Sequence, residues 1–95
     1  LGTMAAIIQV GRQYSYEVAR KMAAGDGSLE ASMAKAYLCK AAEWVTREAL
    51  QIHGGMGYAE EYEVSRLFVD ARVLSIFEGA DETLCLKLIG RRLLA

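Results

Sequence analysis

Apolar residues recur at three- and four-residue steps through most of this chain, a period that predicts α-helices rather than strands. In residues 1–24 the small and apolar side chains share one face, and polar side chains share the opposite face. The first face consists of Met4, Ile8, Gly11, Ser15, Val18 and Met22, and the second of Gln9, Arg12, Gln13, Glu17 and Arg20. We predict that this helix ends at Gly25-Asp26-Gly27, because two glycines in three residues break a helix.

A second helix is predicted from about residue 29 to residue 52, with Ser28 as its N-terminal cap. Its apolar side chains form two stripes, Ala34, Leu38, Ala41, Val45, Ala49 and Ile52 on the first, and Met33, Tyr37 and Trp44 on the second. The many alanines allow neighbouring helices to approach closely. We therefore predict that this is the central helix of a bundle.

A glycine-rich stretch, Gly54-Gly55-Met56-Gly57, follows the second helix. A third helix is predicted from about residue 60 to residue 74, and a fourth begins near Asp81. The chain has no proline, which fits long helices joined at sharp turns. The predicted fold class is all-α, an antiparallel helical bundle in a single domain.

Hydrophobic residues make up 54% of the chain, which is high for a soluble domain of this size. We expect part of that surface to face another domain, a subunit or a cofactor. The first residues resemble the middle of a helix and carry no signal peptide. The chain is therefore expected to begin partway through a larger protein.

Charge and cysteine content exclude several classes of protein. With 11 basic and 12 acidic residues, the chain lacks the basic face of a nucleic-acid binder. Its apolar runs are too short to span a bilayer, and one histidine with two distant cysteines makes no metal-ligand spacing. Cys39 and Cys85 lie in apolar helical pattern, which favours buried, reduced thiols as in a cytosolic protein.

Glu78 is the strongest candidate for chemistry. It precedes Gly79 where the fourth helix is about to begin, and a carboxylate there could simply cap the helix. Its apolar neighbours Ile76 and Phe77 would raise its pKa, and Gly79 leaves room for a ligand. Pattern alone leaves both interpretations open, a cap or a base.

Other polar residues have simpler interpretations. The glycine-rich stretch could bring backbone N–H groups to a phosphate, but by itself a helix–helix turn is the better interpretation. His53 is expected to be a turn residue rather than a catalytic one. Arg66 could pair with Asp70 one helical turn later, and such a pair would be structural.

Three motifs in order and in register resemble the C-terminal domain of acyl-CoA dehydrogenases. They are Gln51-Ile52-His53-Gly54-Gly55-Met56-Gly57-Tyr58, Arg66…Asp70-Ala71-Arg72 and Ile76-Phe77-Glu78-Gly79. The resemblance covers essentially the whole chain. In that family an FAD enzyme removes the pro-R α-proton of an acyl-CoA thioester while hydride leaves the β-carbon for the flavin. The resemblance implies a trans-2-enoyl-CoA product, a place in fatty acid metabolism, and an electron-transfer flavoprotein as electron acceptor.

The resemblance also assigns roles to residues. It implies that Glu78 is the catalytic base, and that Gly79 and Phe77 border the substrate. The residues that match cofactor-contacting segments are Gln51, Ile52, His53, Gly54 and Gly55, followed later in the chain by Ala80 and Glu82. In the family the first of these segments commonly contacts the FAD of a neighbouring subunit. A homo-oligomer, a dimer or a tetramer, is therefore implied.

This sequence departs from the family pattern at three positions. Ala80 replaces a threonine, Glu82 replaces a glutamine, and Val69 stands where an arginine often precedes the aspartate. The Glu-Gly-Ala variant resembles relatives that act on branched or dicarboxylic acyl-CoAs, such as methylsuccinyl-CoA dehydrogenase.

Family members are several times longer than this chain, so the resemblance implies that residues 1–95 are part of a C-terminal bundle. About three long helices and a C-terminal helix would be present, and a missing first helix would leave an apolar groove open to self-association. Alone, this piece is expected to have little or no dehydrogenase activity. Bacterial cytoplasm is favoured over the mitochondrial matrix. The alternative hypothesis is a non-catalytic helical interaction module that keeps the same fold.

Overall fold

The computed structural model describes residues 1–77 and 89–94 of the chain. Its helices are α1 (Gly2–Ala23), α2 (Ser28–His53), α3 (Gly55–Tyr58), α4 (Glu63–Val73) and α5 (Gly90–Leu94), and these described residues contain no strand. At 1.5 Å per residue, α1 and α2 are about 33 and 39 Å long. The predicted all-α fold is confirmed, and the start of the predicted fourth helix near Asp81 lies outside the described residues.

Helix α2 is central, as predicted, because α1, α3 and α4 all contact it. Small residues let the helices approach, since a Cβ built on Gly11 of α1 would lie 2.8 Å from Leu38 Cδ2 on α2. Ala34 of α2 and Ala71 of α4 are likewise buried. The alanine content of α2 therefore serves close helix packing.

The joint between α1 and α2 differs from the predicted one. Ser28 was expected to cap α2, but it is the first helical residue, and Gly27 is the N-cap without a side-chain capping bond. Gly27 has φ +96°, and Asp26 Oδ1 accepts a hydrogen bond from its N–H at 2.7 Å. The positive φ and the proximity of Lys21, whose Cβ would lie 2.8 Å from an added Cβ, explain why glycine is required there.

The third helix also differs from its prediction, since α4 begins at Glu63 rather than near residue 60. The glycine-rich stretch before it is not merely a turn, because Gly55–Tyr58 forms the short helix α3. Helix α4 runs antiparallel to α2, and a salt bridge of 3.6 Å between Arg72 Nε and Glu43 Oε1 joins them.

The described residues have a thin core. Val18, Ala34 and Ala71 are the buried hydrophobic residues among them, whereas many larger apolar side chains remain exposed. A groove of about 420 Å³ runs between α1 and α2, lined by Ile7, Gly11, Leu38 and Val45 among others. No helix in the described ranges is both long and apolar enough to cross a membrane.

Candidate active site

The segment that leads to the predicted base Glu78 continues from the C-terminal end of α4 and is held to it by backbone hydrogen bonds. After α4 ends at Val73, the N–H of Ile76 donates to Val73 O at 2.9 Å, and the N–H of Phe77 donates to the same oxygen at 3.2 Å. The side chains of Ile76 and Phe77 are 55% and 48% exposed. An apolar, accessible surface therefore lies immediately before residue 78.

Lys35 of α2 holds this segment from the side. Its Nζ donates to Leu74 O at 2.6 Å and to Phe77 O at 3.0 Å. The sequence pattern does not single out Lys35. A lysine between Ala34 and Ala36 in an apolar helix is only a weak indication of a specific role. The partners lie 39 and 42 residues away, so the fold alone brings them together.

Ser75 lies inside the same segment and is only 8% exposed. Its Oγ is buried and has no hydrogen-bond partner among the residues that the structure describes. A buried hydroxyl without a partner costs about 1–3 kcal/mol. Among the described residues, this segment is therefore held by backbone hydrogen bonds and by Lys35, and not by the Ser75 hydroxyl.

The predicted cofactor segment lies at the C-terminal end of α2. Gln51, Ile52, His53, Gly54 and Gly55 are all exposed. Gly54 has φ +65° and ψ −144°, a conformation that favours glycine, and its N–H donates to Gln51 O at 3.0 Å. A Cβ on either Gly54 or Gly55 would meet nothing within 4 Å. The backbone here is open to close approach by a bound molecule.

His53 is held in place by two contacts. Its Nδ1 lies 2.8 Å from Ala49 O, and its ring lies 6.4 Å from the Tyr62 ring, centroid to centroid. A carbonyl oxygen only accepts, so the first contact requires the proton on Nδ1. His53 is the last residue of α2 and directly precedes the turn at Gly54.

Gly57 differs from its neighbours because it is buried. A Cβ there would lie 2.5 Å from Leu50 O and 3.0 Å from His53 Cβ. This glycine therefore lets α3 fold back against the end of α2, while Gly54 and Gly55 remain on the outside. The glycine-rich stretch thus combines a packing requirement with an accessible backbone.

The two predicted site clusters lie at different ends of α2. Lys35 and Gln51 are 16 positions apart on this helix, which corresponds to about 24 Å along its axis. One chain therefore does not bring Phe77 and the Gln51–Gly55 segment together. The remaining predicted site residues, Glu78, Gly79, Ala80 and Glu82, lie outside the described residues.

The ion pair that helical spacing allows between Arg66 and Asp70 is not formed. Arg66 Nη1 donates instead to Glu60 O at 2.7 Å, which ties the start of α4 to the loop before it. Helical periodicity does not predict this contact, because it relates only residues of the same helix and Glu60 precedes α4. No cluster of potential metal ligands occurs within the described ranges.

Comparison with known proteins identifies close relatives along the whole chain. A family model, acyl-CoA dehydrogenase, C-terminal domain, matches residues 1–94. The chain is 47% identical over 95 residues to (2S)-methylsuccinyl-CoA dehydrogenase of Cereibacter sphaeroides, an alignment that covers 99% of this chain and 17% of that protein. It is also 47% identical over 53 residues to the caffeyl-CoA reductase-Etf complex subunit CarC of Acetobacterium woodii, covering 56% of this chain and 14% of that subunit.

The solved structures agree with this result. Butyryl-CoA dehydrogenase from Megasphaera elsdenii superposes with a TM-score of 0.93 at 37% identity, covering 99% of this chain and 24% of that one. The chain thus spans less than a quarter of the length of each of these three relatives.

Proposed function

Because the chain belongs to the acyl-CoA dehydrogenase family, we propose that residues 1–95 are part of the C-terminal helical domain of an FAD-dependent acyl-CoA dehydrogenase. The complete protein would convert an acyl-CoA thioester to a trans-2-enoyl-CoA, with Glu78 as the base that removes the α-proton. The observation that carries the proposal is the family match over residues 1–94, in which Glu78 directly follows the exposed apolar pair Ile76 and Phe77.

The chemistry explains why an apolar approach to Glu78 matters. The α-proton of a thioester is too weakly acidic for a fully solvated carboxylate to remove efficiently. An acyl chain packed against Ile76 and Phe77 would exclude water from residue 78. Desolvation would raise the pKa of Glu78 and make it a stronger base. Gly79, which adds no side chain, would leave room for the thioester.

FAD fits the accessible backbone at the end of α2. Gln51, His53, Gly54 and Gly55 would hold part of the cofactor there, because no Cβ occupies the space above either glycine. Ile52 would add apolar contact, and Ala80 and Glu82 would approach the flavin near the base. The hydride from the β-carbon would pass to FAD, which is the redox chemistry that this cofactor supplies when bound.

The separation of the two clusters supports a homo-oligomer. About 24 Å of helix lies between Lys35 and Gln51, so the Gln51–Gly55 segment would serve a cofactor other than the one beside its own Glu78. A second subunit would supply the complementary cluster. The dimer or tetramer would then carry composite sites.

The relatives suggest a substrate class and an electron partner. The 47% identity to (2S)-methylsuccinyl-CoA dehydrogenase supports a branched or dicarboxylic acyl-CoA as substrate. The Etf in the name of the Acetobacterium woodii relative supports an electron-transfer flavoprotein as acceptor. We place the protein in the cytoplasm of a bacterium, consistent with the sources of these relatives.

Substitution of the base in the complete protein tests the proposal. Glu78→Gln keeps the side chain's size and removes its basicity. Flavin should stay bound, and acyl-CoA should no longer bleach its absorbance. Glu61→Gln is the matched control, because Glu61 is exposed in the loop before α4 and should leave bleaching unchanged. Bleaching at the wild-type rate in Glu78→Gln would contradict the catalytic assignment.

The isolated piece provides a second test. Residues 1–95 expressed alone should show no dehydrogenation, because most of the family's length lies elsewhere. Turnover by this piece without a partner chain would contradict the proposal.

The exposed apolar surface favours one alternative, a non-catalytic module that keeps the fold to assemble subunits. That alternative predicts a complete protein that forms oligomers and shows no flavin bleaching with any acyl-CoA. Measuring both properties on the same preparation separates the two functions.

A further inference from the structure

Lys35 is the one described side chain that hydrogen-bonds to the backbone leading into Glu78. Its Nζ lies 2.6 Å from Leu74 O and 3.0 Å from Phe77 O. We propose that Lys35 is a positioning residue, which fixes the peptide group ahead of Glu78 and so sets where the base enters the active site. This inference rests on the proposed role of Glu78.

The electrostatics of the helix end favour such a contact. Leu74 is the C-cap of α4, and the last carbonyls of a helix carry partial negative charge without an intrahelical donor. An ammonium group is suited to that end, and hydrogen bonds from a charged donor are stronger than neutral ones. The ammonium group of Lys35, which carries three N–H donors, donates to two carbonyls that lie three positions apart, those of Leu74 and Phe77.

The second of these carbonyls belongs to the peptide bond that joins Phe77 to Glu78. The peptide group is planar, so Phe77 O lies in one plane with the nitrogen and Cα of Glu78. A hydrogen bond that fixes this oxygen therefore restricts the direction in which the chain continues to the Glu78 Cα.

The anchor lies on the central helix. Lys35 is in the first third of α2, which both α1 and α4 contact. Its neighbour Ala34 is buried. In contrast, the turn that Lys35 holds has exposed side chains at residues 76 and 77, and the buried hydroxyl of Ser75 has no partner among the described residues. The lysine thus ties a segment with exposed apolar side chains to the central helix.

The test is made on the complete, flavin-loaded protein with Lys35→Met, which keeps an unbranched side chain and removes the donors. Flavin binding and the Kd for acyl-CoA should remain near wild type. The rate constant of flavin bleaching should fall roughly 100-fold, the scale expected when a reacting group is misplaced by about 1 Å. Arg47→Met is the control, since Arg47 is an exposed cation on the same helix and should have no effect.

Wild-type bleaching in folded, flavin-loaded Lys35→Met would overturn the inference. If that variant does not hold flavin, Lys35→Gln decides, because its shorter amide cannot reach both carbonyls. A bleaching rate at least tenfold lower, with substrate affinity unchanged, supports positioning. A wild-type rate, or loss of flavin in both variants, overturns it in favour of no role or of a purely structural one.

Glu78→Gln measured in parallel distinguishes a failure of the proposed function from a failure of the positioning role of Lys35. If Glu78→Gln still bleaches at the wild-type rate, the proposed function fails, whatever Lys35 does. If Glu78→Gln abolishes bleaching and Lys35→Met leaves it unchanged, only the positioning role fails.

Discussion

Gly55 and Gly57 lie two residues apart in helix α3, and the structure predicts opposite consequences when each is replaced by alanine. Gly57 is buried against the end of α2, whereas Gly55 is exposed with open space where a Cβ would stand. Gly57→Ala should therefore destabilise the fold and Gly55→Ala should not. The pair separates a packing requirement from a cofactor-binding one.

The magnitude for Gly57→Ala follows from its surroundings. The new methyl would lie 2.5 Å from Leu50 O and 3.2 Å from Leu50 C, and both atoms belong to backbone that cannot rotate away. Overpacking of this kind costs about 1–3 kcal/mol. Alanine recovers about 0.5–1 kcal/mol over glycine in a helix. We expect a net loss of about 1–2 kcal/mol in the free energy of unfolding.

Gly55→Ala has no such penalty. Its methyl meets no atom within 4 Å, so the free energy of unfolding should stay the same or rise by up to about 1 kcal/mol. In the proposed holoenzyme, however, that methyl would occupy the space where FAD approaches the backbone. Flavin affinity should therefore fall by tenfold or more, which corresponds to about 1.4 kcal/mol of binding free energy.

The assay compares both variants in the complete protein. Urea denaturation of the apoprotein followed by circular dichroism gives stability, and titration with FAD followed by flavin fluorescence gives affinity. Wild-type flavin affinity in Gly55→Ala would refute the cofactor role of the Gln51–Gly55 segment. Unchanged stability in Gly57→Ala would refute the account of packing against Leu50.

Two further predictions concern side chains of the α2 and α4 region. Ser75→Ala removes a buried hydroxyl that has no partner among the described residues, so it should stabilise the protein by about 1 kcal/mol in urea denaturation. Ser65→Ala is its control and should destabilise by about 1 kcal/mol, because Ser65 Oγ donates to Tyr58 O at 3.3 Å. Destabilisation by Ser75→Ala would mean that its hydroxyl is satisfied by a group outside the described residues. Arg72→Gln breaks the salt bridge to Glu43. The side chain of Arg72 is 55% exposed and that of Glu43 is 33% exposed, so the free energy of unfolding should change by less than about 1 kcal/mol. A larger loss that persists in 1 M NaCl would contradict the assignment of this pair as a weak surface contact.

Local pattern was sufficient for the helices and for the family. The predicted bounds of α1 and α2 agree with the observed ones within a residue or two at each end, because apolar periodicity and glycine breaks act over a few neighbouring residues. The all-α class and the resemblance to acyl-CoA dehydrogenases are confirmed for the same reason, since ordered motifs are a property of the chain itself. The role of Glu78 stays a prediction, because the residue lies outside the described ranges.

The predictions from local pattern were wrong at positions where the folded chain offers a different contact. Ser28 is a residue type that often caps helices, but Gly27 is the N-cap of α2. The backbone at Gly27 has a positive φ and passes close to Lys21, and both features favour glycine. The glycine-rich stretch was expected to be a turn, and yet its residues form α3, because Gly57 can pack on Leu50. Arg66 found a backbone carbonyl outside its helix instead of Asp70.

The sequence by itself therefore determined the two long helices α1 and α2, the all-α class and the family motifs that contain Glu78, all of which depend on short-range pattern. Only the tertiary structure decided that Lys35 holds the carbonyls of Leu74 and Phe77. Because Lys35 and Gln51 are separated by about 24 Å of helix, this contact also separates Phe77 from the Gln51–Gly55 segment. Both facts depend on how α4 folds back along α2. Such contacts join residues dozens of positions apart, and no local periodicity records which lysine will reach which carbonyl.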